Sequence, residues 1–245
     1  MKFVTQLLES LWGIYAWLIF LICTLIALLL VTIVPVARAR CWSTGFVCRT
    51  TFLLCGVRVS VIGRDRLPSG HAVVVANHSS YIDGPLLKGH LPARFSFVIK
   101  GEMRNIPIVH FLLRRAGSHF VERFTAAGSR RDARQIVKAA QDGQSLVFFP
   151  EGTFVRTPGV GNFRPGAFVA ATRGAMPLVP VAISGTRRML AAGRLLPRPG
   201  RLRIEFLPAI LPDDPVFQDH RQLADLARQQ IRAAIRETAS SDPCA

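Results

Sequence analysis

The sequence predicts an α/β protein with a mixed, largely parallel sheet flanked by helices and an N-terminal pair of apolar membrane helices. Three observations predict this class. An uncharged apolar run occupies residues 11–36, and a second apolar stretch follows at 41–57. From residue 57 onward, short apolar runs alternate with longer amphipathic stretches. Several of the short runs are apolar on both faces, which is typical of strands covered by helices on both sides of a sheet.

The composition limits the class of protein. The chain has 245 residues, is 50% hydrophobic and only 19% charged, which excludes a disordered protein. Its formal net charge of +16 implies an anionic partner: nucleic acid, an anionic membrane surface or phosphorylated substrates. The five cysteines are odd in number and form no C-x-x-C pair, so neither a disulfide framework nor a zinc site is indicated.

The run at 11–36 predicts a membrane helix. A helix of this length covers about 39 Å, more than the ~30 Å hydrocarbon core of a bilayer. The run is longer than the apolar region of a signal peptide, and Arg38 and Arg40 follow where cleavage would occur. Arginines beyond the run outnumber Lys2 before it, so the positive-inside rule predicts that the remaining chain is cytoplasmic.

The second apolar stretch is interrupted only by Arg49. Cys41, Cys48 and Cys55 recur every seven residues and share one helical face, where we expect them to pack against the first helix or lipid. A helix pair joined near Pro35 either spans the bilayer or lies within one leaflet, and composition does not separate these arrangements. The predicted division is a membrane-associated helical segment at 1–56 and an α/β domain at 57–245.

The remaining elements follow from periodicity and from Gly and Pro at the joins. The predicted strands are 57–62, 72–76, 95–99, 118–121, 145–149, 177–184 and 202–207. The predicted helices are 83–89, 107–115, 129–142, 166–173 and a packing helix at 216–238.

The first segment with candidate catalytic residues, 73–83, passes from a buried strand into a polar turn. Ligand sites in such sheets lie beyond the carboxyl ends of strands, where His78 is found. Asp83 follows five residues later, and a carboxylate beside a histidine makes the other ring nitrogen a general base. The alternative is a helix-capping Asp83 and a surface His78. Ser79 or Ser80 could instead act as a nucleophile, but the chain contains no G-x-S-x-G motif of the kind that carries a nucleophilic serine.

A second such segment, residues 148–153, also leaves a buried strand. Glu151 is a candidate acid or a hydrogen-bond acceptor for a substrate hydroxyl, and Gly152 allows close approach of the backbone. The alternative is a strand-to-loop turn with a stabilising carboxylate.

Together, N-H-S-S-Y-I-D at 77–83 and F-P-E-G-T at 149–153 resemble the glycerolipid acyltransferase family, typified by bacterial lysophosphatidate acyltransferases. The resemblance continues through 98–102, 117–123, 163–168 and 179–182, in the family's order. It implies transfer of an acyl chain from acyl-CoA or acyl-carrier protein to the hydroxyl of a lysophospholipid, with lysophosphatidate converted to phosphatidate as the closest case. It also implies a bacterial inner-membrane enzyme with a cytoplasmic catalytic domain.

The resemblance assigns His78 as general base and Asp83 as its partner, without metal or cofactor. Backbone N–H groups or Lys100 are the candidate donors to the oxyanion. The expected substrate-binding residues are Asn77, Ser80, Lys100, Arg123, Glu151, Gly152, Thr153, Arg156 and Arg164.

Acceptor recognition departs from the family pattern. Arg123 is retained, but Phe154 occupies the position where the family has an arginine after E-G-T. We expect Arg156 or Arg164 to bind the acceptor phosphate instead. A different lysolipid, or an amino-acid-linked lipid, stays open as the acceptor.

Two other functions compete with acyl transfer. A membrane-bound lipid or thioester hydrolase would use the same residues with water in place of the alcohol. A membrane-tethered nucleic-acid-binding protein would explain the charge of +16, but the chain has no recognised nucleic-acid motif. The expected partners are therefore a membrane lipid acceptor, the thioester donor and the anionic membrane surface, and not nucleic acid.

Overall fold

The computed structural model describes residues 2–122, 126–153 and 159–241. Seven strands form one sheet, each within one residue of its predicted bounds: β1 (Arg58–Ile62), β2 (Val73–Ala76), β3 (Phe95–Lys100), β4 (His119–Val121), β5 (Ser145–Phe148), β6 (Leu178–Ser184) and β7 (Arg201–Phe206). The helices are α1 (Lys2–Ile33), α2 (Ala37–Leu54), α3 (Asp83–His90), α4 (Pro107–Arg115), α5 (Ala126–Gln141), α6 (Gly166–Gly174), α7 (Thr186–Met189) and α8 (His220–Ser241).

The sheet is mixed and largely parallel, as predicted. The strand order is β1-β7-β6-β2-β5-β3-β4. The five strands from β6 to β4 are parallel, whereas β7 runs antiparallel to β6 and parallel to β1. Because carboxyl ends of parallel strands meet at one edge, the loops after β6, β2 and β5 lie side by side.

Both faces of the sheet are covered by helices, which explains why its central strands are apolar throughout. Val73 and Val75 of β2 pack in a cluster with α5, α6 and α8. Val74 and Ala76 face the opposite side, in a cluster that includes residues of α1, α2 and α3. The N-terminal helices therefore contribute to the core of the α/β domain.

The structure corrects the predicted pair of apolar membrane helices. Within the described residues, one helix is long and apolar enough to cross a membrane, Val4–Ile33. The second stretch does form a helix, α2, but Arg38, Arg40 and Arg49 make it too polar for a membrane span. Its buried side packs in the protein rather than facing lipid alone.

Arg40 has a structural role that explains its place between the two helices. Its Nη1 donates to the carbonyl oxygens of Val34 and Pro35, at 3.2 and 2.6 Å, and its Nε donates to that of Arg115 at 3.1 Å. Arg115 in turn donates from Nε to the carbonyl of Val31 at 2.9 Å. Carbonyls at the end of a helix lack intrahelical partners, so the two arginines satisfy them and join α1, α2 and α4.

Candidate active site

The two predicted motif segments meet at the carboxyl edge of the parallel strands. Residues 77–82 follow β2, residues 149–165 follow β5, and residues 185–190 follow β6. Since β2 lies between β5 and β6, its loop contacts both of the others.

His78 and Asp83 form a direct pair. His78 Nδ1 lies 2.9 Å from Asp83 Oδ2, and the same oxygen accepts from the backbone N–H groups of Ser79 and Ser80 at 2.7 and 2.8 Å. The Asp83 side chain is fully buried, whereas that of His78 is 19% exposed. With Nδ1 donating to this carboxylate, Nε2 is the unprotonated nitrogen of the neutral ring.

The bonds of Asp83 differ from those of a helix cap. The N-cap residue of α3 is Ile82, and no side chain caps this helix. The bonds of Asp83 Oδ2 instead go to His78 and to the turn that precedes the helix. The carboxylate therefore orients the imidazole and the loop that carries it, and the catalytic role of the pair stays a prediction.

The His78 ring stacks on Phe149, with centroids 4.4 Å apart and planes inclined by 24°. Phe149 belongs to the F-P-E-G-T segment, but the sequence carries no signal that this ring contacts the histidine. The stacking partner follows from the adjacency of β2 and β5 and from their shared face. Together, Asp83 and Phe149 restrict the orientation of the imidazole.

Glu151 holds the backbone of the site together. Its Oε1 accepts from the backbone N–H of His78 and its Oε2 from that of Gly161, both at 2.8 Å. A Cβ at Gly161 would lie 2.7 Å from Oε2, so a side chain there would clash with the carboxylate. Burial raises the pKa of Glu151, opposed by these two hydrogen bonds. Both oxygens have backbone partners, so Glu151 is a positioning residue, and its predicted contact with substrate stays a prediction.

Asn77 and Ser80 are buried and bonded to neighbouring segments. Asn77 Nδ2 donates to the carbonyl of Ile183 at 2.9 Å, and its Oδ1 accepts from the N–H of Ile183 at 2.7 Å. Ser80 Oγ donates to the carbonyl of Leu190 at 2.6 Å. These bonds fix the loop after β2 to the end of β6 and to the segment that follows β6. A substrate contact by either residue stays a prediction.

Thr186 is a further residue that the sequence analysis did not identify. It is buried at the start of α7, and its Oγ1 lies 3.1 Å from Ser79 Oγ. No motif marks it, because its place beside Ser79 depends on the adjacency of β6 and β2.

The other predicted substrate residues have different positions. Gly152 adopts φ of 79°, and its N–H donates to the carbonyl of Phe149 at 2.9 Å, while Thr153 next to it is exposed. Lys100 ends β3, which lies two strands from β2. Arg164 is exposed, and its backbone N–H donates to the carbonyl of Pro150 at 2.9 Å. The predictions for Arg123 and Arg156, and the substitution at Phe154, lie outside the described residues.

A cavity of about 230 Å³ lies between the N-terminal helices and the face of the sheet that carries His78. Ile82, Gly84 and Pro85, which flank Asp83, form part of its wall. Most of the other lining side chains come from α1, α2, β3 and α4 and are apolar, among them Trp12, Ala27, Phe52, Phe97, Ile99 and Leu112. Lys88 of α3 and Met189 of α7 also line the cavity. The arrangement thus combines a histidine–carboxylate pair with an adjoining space for an apolar chain. Within the described ranges, no group of three or more His, Cys, Asp or Glu side chains is placed to hold a metal ion.

The sequence matches a known protein family over just over half of its length. The Acyltransferase family profile matches residues 58–184. The chain is 30% identical over 181 residues to a 1-acyl-sn-glycerol-3-phosphate acyltransferase of Chlamydomonas reinhardtii, covering 73% of this chain and 53% of the algal protein. It is also 30% identical over 199 residues to lysophosphatidylcholine acyltransferase 1 of Homo sapiens, covering 73% of this chain and 35% of the human protein. The chain therefore spans about half, or less, of the length of these relatives.

The fold is shared with a solved structure. The crystal structure of the 1-acyl-sn-glycerophosphate (LPA) acyltransferase PlsC from Thermotoga maritima superposes with a TM-score of 0.82 at 21% identity. The superposition covers 97% of this chain and 99% of that one, so it includes the N-terminal helices as well as the sheet.

Proposed function

Because the chain belongs to the Acyltransferase family, we propose that it transfers a fatty acyl chain from acyl-CoA or acyl-carrier protein to the free hydroxyl of a lysophospholipid. The observation that carries this proposal is the His78–Asp83 pair, which adjoins an apolar cavity at the carboxyl edge of the sheet. A proton acceptor and a chain-binding space are the two requirements for acylating an alcohol with a lipid thioester.

His78 is the proposed general base. Its Nε2 takes the proton of the acceptor hydroxyl as the hydroxyl oxygen attacks the thioester carbonyl. The new C–O bond forms, the C–S bond breaks, and the imidazolium returns its proton to the departing thiolate. Asp83 stabilises the imidazolium through the 2.9 Å contact with Nδ1.

Several backbone N–H groups of the motifs already have acceptors and do not face an oxyanion. The N–H groups of His78, Ser79 and Ser80 already donate to the carboxylates of Glu151 and Asp83. The N–H of Gly152 also has an acceptor, the carbonyl of Phe149. Lys100, at the carboxyl end of β3, therefore stays our proposed donor to the oxyanion.

The apolar cavity is the proposed binding space for the donor's acyl chain. Its wall includes both neighbours of Asp83, so a chain within it starts beside the catalytic pair. Moving alkyl groups from water into such a space is favourable by roughly 0.8 kcal/mol per CH₂. The N-terminal helices close the cavity on one side, which gives them a part in substrate binding as well as in membrane attachment.

Lysophosphatidate is the proposed acceptor, with its phosphate bound by arginines of the loops around the site. Arg164 is exposed in the loop after β5 and is available for this contact. We propose Arg123 and Arg156 as further residues that bind the phosphate. The algal relative is named for lysophosphatidate and the human relative for lysophosphatidylcholine, so both lipids belong in any acceptor panel.

We propose that α1 lies in one leaflet of the membrane and leaves the catalytic domain on the cytoplasmic side, in bacteria at the inner membrane. Near its start, Glu9 pairs with Arg198 at 2.9 Å, and Trp17 donates to the carbonyl of Leu195 at 2.7 Å. Near its end, Val31 accepts from Arg115. The helix thus contacts the domain at two points separated by about 33 Å of helix, which supports an orientation along the domain surface.

The test is acyl transfer by the purified full chain in mixed micelles. Labelled acyl-CoA and acyl-carrier protein are supplied with lysophosphatidate, lysophosphatidylcholine and a lyso amino-acid lipid in turn. We expect a labelled diacyl product with at least one acceptor, and its loss in His78→Ala. Release of free fatty acid at the same rate with and without an acceptor would identify a hydrolase and contradict the proposal.

A further inference from the structure

Lys88 brings a cationic group into the apolar cavity. It lies on α3, five residues after Asp83, and its side chain forms part of the cavity wall. Its Nζ is 5.8 Å from the centre of the Phe97 ring. Lys88 is half-buried among mostly apolar side chains. Lysine is rarely placed in such surroundings without a partner, so its position here calls for an explanation.

None of the ion pairs within the described residues links Lys88 to a carboxylate. The titratable groups that act on it are the thiols of Cys41 and Cys48 on α2. Burial raises the pKa of Cys48 to about 11, so this thiol is neutral at physiological pH and does not neutralise the ammonium. Burial also lowers the pKa of Lys88, and the Phe97 ring offers only a cation–π contact.

Three successive ring contacts connect the catalytic histidine with Lys88. The His78 ring lies 4.4 Å from that of Phe149, the Phe149 ring lies 6.5 Å from that of Phe97, and Lys88 Nζ lies 5.8 Å from the latter. Lys88, Phe97 and the two neighbours of Asp83 all line the same cavity. A chain whose carbonyl is held at His78 and whose tail fills this cavity therefore reaches the ammonium partway along its length.

We propose that Lys88 makes this cavity selective for donor acyl chains that carry an oxygen substituent, such as a hydroxyl group, partway along the chain. This inference rests on the proposed function. An unsubstituted chain removes solvent from the Lys88 ammonium and offers it no hydrogen-bond acceptor, which is unfavourable for a buried charge. A hydroxyl at the matching carbon accepts a charge-assisted hydrogen bond and removes that penalty.

The experiment is a competition between plain and hydroxylated acyl-CoA of equal chain length, with one fixed lysolipid acceptor. The hydroxyl is placed at successive carbons, and the products are separated by mass. We expect the wild type to prefer one hydroxyl position by about tenfold or more in relative kcat/KM, the size expected for a hydrogen bond to a charged group. Lys88→Met, which preserves length without charge, should abolish the preference and increase the use of the plain chain.

Two further variants control for folding and charge. Lys88→Gln keeps a neutral donor and should retain part of the preference. Lys138→Met removes an exposed lysine of α5, which is paired with Asp142, and should leave the preference unchanged. Thermal melts in the same micelles report whether each variant is folded.

The outcomes separate this inference from the proposed function. Absence of transfer from both acyl-CoA and acyl-carrier protein thioesters, with every acceptor of the panel, would contradict the proposed function itself. Transfer with the same hydroxyl preference in wild type and Lys88→Met would overturn only the role of Lys88. In a parallel series, a plain donor is offered with hydroxylated acceptors; a preference for a hydroxyl on the acceptor's chain, and not on the donor's, would also overturn it.

Discussion

The backbone N–H of His78 donates a 2.8 Å hydrogen bond to Oε1 of Glu151, a residue 73 positions further along the chain. The carboxylate of Glu151, in the motif at 149–153, thus fixes the main chain of His78, the proposed catalytic residue of the motif at 77–83. Because Oε2 also accepts from Gly161, a single buried side chain joins the loop after β2 to both ends of the loop after β5.

Replacement of His78 by alanine removes the proposed base. We expect acyl transfer to fall by about 10²–10⁴-fold, because that is the contribution of a positioned general base. The control is His71→Ala, which removes an exposed histidine outside the motifs. Initial rates of diacyl product formation give the measurement. A His78→Ala protein that keeps its fold and near-normal turnover would refute the proposed role.

Asp83→Asn should reduce kcat strongly, but less than His78→Ala does, because Asp83 orients the ring and does not itself take the substrate proton. The amide cannot stabilise the imidazolium as the carboxylate does. We also expect a loss of stability of about 1–3 kcal/mol, since Oδ2 accepts from Ser79 and Ser80 in a fully buried place. A variant with a lower melting temperature but an unchanged rate would show a purely structural role.

Glu151→Gln should change the pH dependence of stability. Burial raises the pKa of Glu151 above its ordinary value of 4.5, so ionisation is less favourable in the folded than in the unfolded chain. The wild type should therefore lose stability relative to Glu151→Gln as pH rises from 4.5 through the higher pKa of the folded state. Melting temperatures of both proteins across this range give the comparison. A pH-independent difference between wild type and Glu151→Gln would contradict this expectation.

Aspartate at two exposed positions of α1 should weaken membrane attachment. Leu18 and Leu25 are more than half exposed and lie seven residues apart, on one face of the helix. A charge near the centre of a membrane helix is unfavourable by roughly 2.5–3.5 kcal/mol. In a vesicle flotation assay, a smaller fraction of the Leu18→Asp/Leu25→Asp variant should therefore be recovered with the lipid. Leu18→Ala/Leu25→Ala is the matched control. High salt should not release the wild type, because apolar attachment is not screened by ions; release by salt alone would mean that α1 is not embedded.

A larger side chain at Ala27 should shorten the acyl chains that the enzyme accepts. Ala27 is buried in the cavity wall, and phenylalanine there fills part of the space. We expect the preferred acyl-CoA to become shorter, with a stability loss of about 1–3 kcal/mol from overpacking. Leu29→Phe, at an exposed position two residues on, should leave the chain-length profile unchanged. An unaltered profile in a folded Ala27→Phe protein would place the acyl chain elsewhere.

The sequence by itself determined the strands, the first helix and the central pair of the site. β2, β5 and β6 are apolar on both faces, and α1 is uncharged over most of its length, so local composition was enough to predict them. His78 and Asp83 lie five residues apart across one tight turn, and this short separation made their contact predictable.

Tertiary structure alone decided the contacts that depend on strand order and on the face of the sheet. Phe149 meets His78, and Thr186 meets Ser79, because β5 and β6 flank β2 with their carboxyl ends aligned. The polar character of α2 also became interpretable only in the fold, where Arg40 satisfies the carbonyls that end α1 and α4. Such contacts join residues far apart in the chain, and their geometry is set by the packing of whole elements, which local sequence patterns do not encode.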